Sequence, residues 1–189
     1  EEPDYVYNLA GYQFYSDPDE AEDDTTSLQW RMTGTYKFHS NHSIKYVYDI
    51  WGLRKMGQWD TLFTCWKTYE VNGIYTLSTS GFSESLITGI PLNFVNTEYK
   101  ELSVRYSLLV NQLTTTEKAF DYWDRLKAQN DDQGELHSRQ PYQIRGNVYN
   151  IDNEAEPVMG YFLVAGTASK RIFVDRPLLN FNYFKECSM

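Results

Sequence analysis

Histidines and clustered carboxylates are the residues of this chain with the chemistry to hold a metal ion. Two of its three histidines are spaced as His39-x-x-His42, where a predicted strand end and turn would make the side chains diverge. Because no acidic ligand follows at zinc spacing, this pair does not predict a metal site. The loop from Asp17 to Asp24 is rich in carboxylates but lacks the glycine and the spaced register of an EF-hand. We expect a solvated loop there, and no metal.

Nucleophilic chemistry has equally little support. Cys65 and Cys187 are too few for a four-ligand metal site, and neither has a neighbouring histidine. The cysteine count leaves three readings open: two buried thiols, one catalytic thiol, or a disulfide that would stabilise the fold by roughly 4–5 kcal/mol. Nucleophile-elbow, P-loop and Rossmann patterns are absent, and 26 acidic residues single out no glycosidase pair. We therefore predict no catalytic residue, no cofactor and no enzyme activity.

Charge and hydropathy exclude further classes of partner. The net charge of -9 would repel phosphate backbones and anionic lipid head groups. No apolar run approaches the roughly 18 residues that a membrane helix needs. The chain begins Glu1-Glu2-Pro3-Asp4, without an initiator Met or a signal peptide. We expect residues 1–189 to form a single β-rich domain that is part of a longer protein.

Strand signals dominate the chain. Aromatic residues make up 16% of it, which is typical of pleated, half-buried surfaces. Asn72-Gly73, between two strand-like runs, predicts a hairpin with a type I′ turn. Gly146 and Gly160 predict bulges or a close approach of two backbones inside strands. The predicted strands cover residues 5–15, 28–38, 44–53, 62–71, 74–77, 101–113, 140–149, 158–164 and 170–174.

One amphipathic helix is predicted at about residues 115–129. Thr114 and Glu117 fit a capping box at its start. Its apolar stripe recurs at spacings of three and four and consists of Ala119, Phe120, Trp123 and Leu126. Strands outnumber helices, so we predict a mainly β (α+β) fold, an antiparallel sheet or sandwich with this helix packed on it.

Several short motifs occur in a fixed order along the chain. They are Ala119-Phe-Asp-Tyr-Trp-Asp-Arg-Leu126, Gln140-Pro-Tyr-Gln-Ile-Arg-Gly-Asn-Val148, Pro157-Val-Met-Gly-Tyr-Phe162 and Lys170-Arg-Ile-Phe-Val174. Three more precede them: Trp30-Arg-Met-Thr-Gly-Thr-Tyr36, Cys65-Trp66 and Arg105-Tyr-Ser-Leu-Leu-Val110. With these motifs, residues 28–176 resemble the C-terminal portion of the DUF4249 family, lipoproteins of Bacteroidota with an uncharacterised domain.

The resemblance implies a location and a partner. Family members look like outer-membrane lipoproteins with an Ig-like domain before this region, and they are often encoded beside TonB-dependent receptors. It implies a lipid anchor outside this chain, on the cell surface or the periplasmic face. It implies no catalytic residue. An oxidising compartment favours the Cys65–Cys187 disulfide. Bacteroidota also O-glycosylate Asp-Ser/Thr triplets, which makes Thr25 and Thr61 weak candidates.

Two functions follow as hypotheses. The first is a non-catalytic lipoprotein subunit of a TonB-dependent transporter that aids nutrient capture or uptake, in contact with the receptor and possibly other surface lipoproteins. The second is a glycan-binding module that stacks sugars on Trp51, Trp59 or Tyr69. A row of coplanar exposed rings would favour glycan, and a broad apolar patch would favour a protein partner.

Overall fold

A computed structural model describes residues 10–17, 27–40, 45–57, 63–79, 88–131, 142–153 and 155–176. These residues form antiparallel sheets and a single α-helix, which confirms the predicted mainly β fold. The strands are β1 (Gly11–Ser16), β2 (Ser27–His39), β3 (Tyr46–Asp49), β4 (Gly52–Lys55), β5 (Thr64–Glu70), β6 (Tyr75–Ser78), β7 (Ile90–Asn96), β8 (Arg105–Thr115) and β9 (Gly166–Asp175). A short 3-10 helix spans Lys100–Leu102, and α1 spans Glu117–Asp131.

The central sheet is built on β2 and β8. β9 extends the sheet beyond β8, and β5 and β6 lie along the opposite edge of β2. The alternation of large apolar residues that predicted a strand at 28–38 is confirmed, since β2 extends that range by one residue at each end. Trp30 lies opposite Gln112 and donates its Nε1 hydrogen to Oε1 at 3.1 Å.

The core lies between this sheet and the two-stranded sheet of β1 and β7. Phe14 of β1 approaches Tyr106 of β8 with ring centroids 5.9 Å apart. Tyr106 has no exposed surface, and its hydroxyl lies 3.3 Å from that of Tyr69. Burial first, and then the hydrogen bond with Tyr69, raises the pKa of the Tyr106 phenol. The buried cluster comprises Phe14, Leu28, Trp30, Met32, Tyr36, Leu92, Val95, Leu102, Tyr106 and Leu108.

The predicted hairpin at Asn72-Gly73 is wrong. β5 and β6 both pair antiparallel with β2, with Glu70 opposite Thr33 and Tyr75 opposite Trp30. They are two parts of one edge, interrupted by residues 71–74, where Gly73 has a φ of +125°. Asn-Gly favours positive φ, and an irregularity in a strand uses that freedom as readily as a turn does. The long strand β2 offers a partner to both parts.

The opposite error occurs at residues 44–53, which were predicted as a single strand. The chain reverses there between β3 and β4, which pair with each other. Gly52 has a φ of +108°, and Asp49 Oδ1 accepts from the Trp51 amide at 2.8 Å. An Asp side chain that bonds its own backbone two residues on is a turn signal that the alternation concealed.

The described parts of the predicted strands 140–149 and 158–164 belong to no strand, so these predictions are wrong there. By contrast, the strand predicted at 170–174 is confirmed within the longer β9. A strand-like sequence does not suffice for a strand, because a ladder also needs a neighbouring edge in register.

The helix is confirmed, but its predicted cap is wrong. Thr116 Oγ1 accepts from the Ala119 amide at 3.4 Å, so Thr116 is the N-cap. Thr114 and Thr115 belong to β8, and Thr115 Oγ1 donates to Ser27 O at 3.1 Å. Because Thr114 is paired in the sheet, it does not cap the helix as the capping box required. On its inner side α1 buries Ala119 and Tyr122, while the other residues of the predicted stripe, Phe120, Trp123 and Leu126, are half-buried.

Candidate functional site

Metal-binding side chains do not converge in the part of the chain that the structure describes. No group of three or more His, Cys, Asp or Glu residues suited to a metal occurs there. The His39 ring stacks on Phe63 with centroids 4.5 Å apart and packs as an aromatic residue would. His42 and His137 lie outside the described residues.

Several predicted modification sites also fall outside the described residues, namely Cys187, Thr25 and Thr61. Cys65 is half-buried on β5, opposite Phe38 of β2. The disulfide and the two O-glycosylation sites therefore stay predictions.

The three rings proposed for sugar stacking differ in their surroundings. Trp51 is exposed at the β3–β4 turn, and Trp59 lies outside the described residues. Tyr69 packs edge-on against Tyr36 at 6.1 Å and shares a hydrogen bond with Tyr106. Because Tyr69 is half-buried against the core, it is poorly placed to offer a free face. The exposed ring of Trp66 was not singled out from the sequence, and Lys37 Nζ lies 5.9 Å from its centroid.

Two surfaces instead concentrate exposed apolar side chains. The first is the projecting hairpin, residues 45–57, which contains β3, its turn and β4. Opposite residues of antiparallel strands share a face, so Tyr46 with Lys55 and Tyr48 with Leu53 form one side. The apolar members of this face and of the turn are exposed: Tyr46, Tyr48, Ile50, Trp51 and Leu53.

The other face of the projecting hairpin is polar at its centre. Arg54 Nε lies 2.7 Å from Asp49 Oδ2, while Asp49 Oδ1 accepts from the Trp51 amide. The backbone of Met56 donates to Lys45 O at 2.8 Å and closes the base of the hairpin. One carboxylate thus fixes both the turn and the adjacent strand, and it holds the apolar tip in one conformation.

The second surface is formed by the crossed segments, residues 142–153 and 155–165. They meet at two glycines, where a Cβ on Gly146 would overlap the carbonyl oxygen of Gly160. Asn147 joins the segments next to this contact. Its Nδ2 donates to Phe162 O at 2.8 Å, and its Oδ1 accepts from Phe162 N at 2.7 Å. The predicted close approach at the glycines is confirmed, although it occurs outside any strand.

Helix α1 anchors the crossed segments. The Tyr161 ring lies 5.0 Å from that of Tyr122, and Gln129 Nε2 donates to Tyr142 O at 3.2 Å. Ile144, which lies between Tyr142 and Gly146 in the sequence, is buried. The side chains that point away are largely apolar and exposed: Tyr142, Val148, Tyr149, Ile151, Met159, Phe162 and Val164.

The described backbone of the crossed segments forms no strand ladder. Glu156 N donates to Asn153 O at 3.0 Å, and the amides of Asp152, Ala155 and Phe162 donate to asparagine side chains. A cleft of about 260 Å³ lies between the two segments, lined in part by Arg145, Tyr149 and Glu156. The crossed segments therefore combine exposed apolar side chains with backbone donors and acceptors that another chain can engage.

Comparisons with known proteins identify a family. A search of curated proteins and a search of solved structures each returned no match. Among the described residues, no helix is both long and apolar enough to cross a membrane. The family model described as "Domain of unknown function (DUF4249)" matches residues 1–171, which begins upstream of the resemblance seen from residue 28. This match covers most of the sequence, and the chain belongs to the DUF4249 family.

Proposed function

We propose that the chain is a non-catalytic binding subunit of a TonB-dependent outer-membrane transporter and that it aids nutrient capture or uptake. In this proposal a lipid anchor outside the sequence holds the protein at the outer membrane, on the cell surface. The observation that carries the docking role is the surface of the crossed segments. The partner class comes from the implications of the DUF4249 resemblance.

The crossed segments have the chemistry of a protein-docking surface. Ile151, Met159 and Phe162 are mostly exposed apolar side chains, and groups of exposed apolar side chains are typical of interaction sites. The backbone beside them, which forms no strand among the described residues, can pair with a strand or loop of another chain, which gives hydrogen bonds in addition to apolar burial.

Charge adds a requirement on the partner. The chain has a net charge of -9, so association is fastest with a surface that carries a complementary basic patch. The docking rate should then fall as the salt concentration rises, because exposed charges are screened over about 8–10 Å at physiological ionic strength.

The test is affinity purification of the full-length lipoprotein from native outer membranes in mild detergent, with mass spectrometry of the co-purifying proteins. The wild type is compared with the double variant Ile151→Ser/Phe162→Ser, which removes two exposed apolar side chains and leaves the Phe162 backbone bonds to Asn147 in place. Tyr15→Ser is the matched control, because Tyr15 is an exposed ring on β1.

We expect a stoichiometric TonB-dependent receptor with the wild type and with Tyr15→Ser, and a loss of at least about tenfold with the double variant. Recovery of the wild type alone, from detergent that keeps known complexes intact, would contradict the proposal. Equal recovery of the receptor by all three proteins would retain the transporter role but exclude the crossed segments as its docking surface.

A further inference from the structure

The tip of the projecting hairpin is the most exposed apolar feature among the described residues. Ile50 is 91% exposed and Trp51 is 89% exposed. β3 and β4 pair with each other and with no other described strand. The rest of the described chain therefore gives these side chains no rim of neighbouring surface, as an ordinary flat interface would have.

The hairpin also has a length that can be compared with a membrane interface. A strand rises about 3.3 Å per residue, so the four steps from Tyr46 to Ile50 span about 13 Å. An apolar element at a bilayer surface enters to a depth of about 5–10 Å, and tyrosine and tryptophan concentrate at that level. Trp51 and Ile50 would therefore reach the acyl boundary while Tyr46 remains among the head groups.

Charge at the base of the hairpin differs from that of the whole chain. Residues 45–57 contain three basic residues, Lys45, Arg54 and Lys55, and one acidic residue, Asp49, which gives a local net charge of +2. Lys55 shares the exposed face with Tyr46. Cations on this side, below an apolar tip, lie at the height of lipid phosphates when the tip is inserted.

The hydrogen bonding of the backbone distinguishes a lipid partner from a protein partner. A bilayer supplies no hydrogen bonds to its core, so a segment that enters it must satisfy its own polar groups. In the hairpin the strands pair up to Asp49 and Gly52, and the Asp49 carboxylate accepts from the Trp51 amide at the turn. The described residues of the crossed segments form no strand ladder and do not meet this condition.

From the exposed tip, the cations at its base and the pairing of its strands up to the turn, we infer that the projecting hairpin inserts Ile50 and Trp51 into the surface of a lipid bilayer. This contact is additional to the lipid anchor of the proposed function and does not depend on it. It orients the domain on the membrane, because an anchor alone leaves the rotation of the domain free.

The experiment uses the 189-residue chain expressed without acylation. It is mixed with vesicles of pure phosphatidylcholine, and with vesicles that contain about one quarter phosphatidylglycerol to supply anionic head groups. Flotation measures the bound fraction. Lipids brominated at defined acyl positions report, by quenching, how deeply tryptophan enters.

Four variants are compared with the wild type. Ile50→Ser/Trp51→Ser removes the apolar tip, and Lys45→Glu/Lys55→Glu reverses the basal charge. Ile151→Ser/Phe162→Ser changes two exposed apolar residues outside the hairpin and is the matched control. Circular dichroism and thermal unfolding verify that each variant is folded. Trp51→Phe is a milder variant that removes the reporter ring and keeps an apolar tip.

We expect the wild type and the control to float with the vesicles, and the tip variant to bind at least about tenfold less, given the free energy of burying two apolar side chains. The charge variant should lose binding mainly on the anionic vesicles. Quenching should be strongest for shallow bromines and should fall sharply in Trp51→Phe. Failure of the wild type to float on either vesicle would overturn the inference. Equal flotation of the tip variant and the wild type would overturn it too. So would a tip variant that floats like the wild type but no longer co-purifies with a protein partner.

Discussion

The projecting hairpin and the crossed segments expose similar side chains on different backbones. In the hairpin, Tyr46 lies opposite Lys55 and Asp49 lies opposite Gly52 in a regular ladder. The crossed segments touch at Gly146 and Gly160 and form no strand among their described residues. Exposed apolar area by itself therefore does not identify a partner. The hydrogen bonds that the backbone has already made decide whether lipid or protein can cover it.

The two regions also differ in how they are attached. The crossed segments rest on α1 through Tyr161 and Tyr142. The hairpin is paired only within itself among the described strands. We therefore expect changes in the crossed segments to alter the stability of the body of the protein, and changes in the hairpin to remain local.

The largest effect should follow from Gly146→Ala. The added methyl group overlaps the carbonyl of Gly160, and the two backbones must separate to admit it. We expect a loss of about 3 kcal/mol in the free energy of unfolding, at the upper end of the usual cost of overpacking. Urea denaturation measures it, and limited proteolysis should show faster cleavage within 142–165.

Gly166→Ala is the control for this change, because no atom lies within 4 Å of a Cβ built there. Its free energy of unfolding should stay within about 0.5 kcal/mol of the wild type. Equal stability of the Gly146 and Gly166 variants would show that the glycines do not touch, and the contrast with the hairpin would lose its basis.

An intermediate effect is expected from Tyr106→Phe, which lies in the core that supports both regions. The change removes the hydrogen bonds of the phenol to Tyr69 and to Asn93 Nδ2. We expect a loss of about 1 kcal/mol at pH 7, the usual net value of one such bond. Vesicle binding and partner recovery should be unchanged, because neither region contacts this hydroxyl.

The same variant predicts a pH dependence. Burial raises the pKa of Tyr106 above its ordinary value of about 10, so the native state favours the neutral phenol. Its contribution to stability is present below pH 10 and is lost as the pH rises above that value. Denaturation between pH 8 and pH 11 should show a smaller alkaline loss for Tyr106→Phe than for the wild type. An unchanged alkaline loss would assign the effect to other groups, such as Tyr69 and Tyr75, whose pKa values burial also raises.

The smallest effect on global stability should come from Asp49→Ala. The change removes the Arg54 ion pair and the bond from the Trp51 amide. Because both charged side chains are partly exposed, we expect a change of at most about 0.5 kcal/mol in the free energy of unfolding. Amide exchange in residues 46–55 should accelerate while the central sheet keeps its protection.

Asp49→Asn sharpens this test, because its side-chain oxygen can still accept from the Trp51 amide while the charge is gone. If the hairpin stays ordered in Asp49→Asn and loosens in Asp49→Ala, its order depends on the hydrogen bond from the Trp51 amide and not on the ion pair with Arg54. A large fall in global stability with either variant would show that the hairpin is part of the core, against the difference in attachment described above.

Elements that depend on local periodicity could be predicted from the sequence. The predictions failed where one residue type is compatible with more than one local structure. β2 was found because side chains alternate along it, and α1 because its apolar residues recur at helical spacing. Asn72-Gly73 and Gly52 were misread in opposite directions, since positive φ serves a strand irregularity and a turn alike. At Asn72-Gly73, the pairing of both flanking strands with β2 decides for a strand irregularity and against a turn, and that pairing is not local.

The interaction surfaces were harder to predict. A run such as Tyr46-Val-Tyr-Asp-Ile-Trp51 looks like a buried strand, because exposure depends on what the rest of the chain leaves uncovered. The close approach of Gly146 and Gly160 was predicted from glycine itself, since only an absent Cβ allows it. Its position outside a sheet could not be predicted, because that depends on packing against α1.

The contact between Gly146 and Gly160 also has a consequence for the order of local opening. The crossed segments contact α1 through Tyr161 and Tyr142, and their bonds to each other, at Asn147 and Asn150, are separate from the β2–β8 ladder. They can therefore open while the β2–β8 pairing persists. They would then form a unit of low local stability on a slowly exchanging sheet. A partner that binds only the closed form would shift this equilibrium by mass action, and its presence would be read as increased amide protection in residues 142–165.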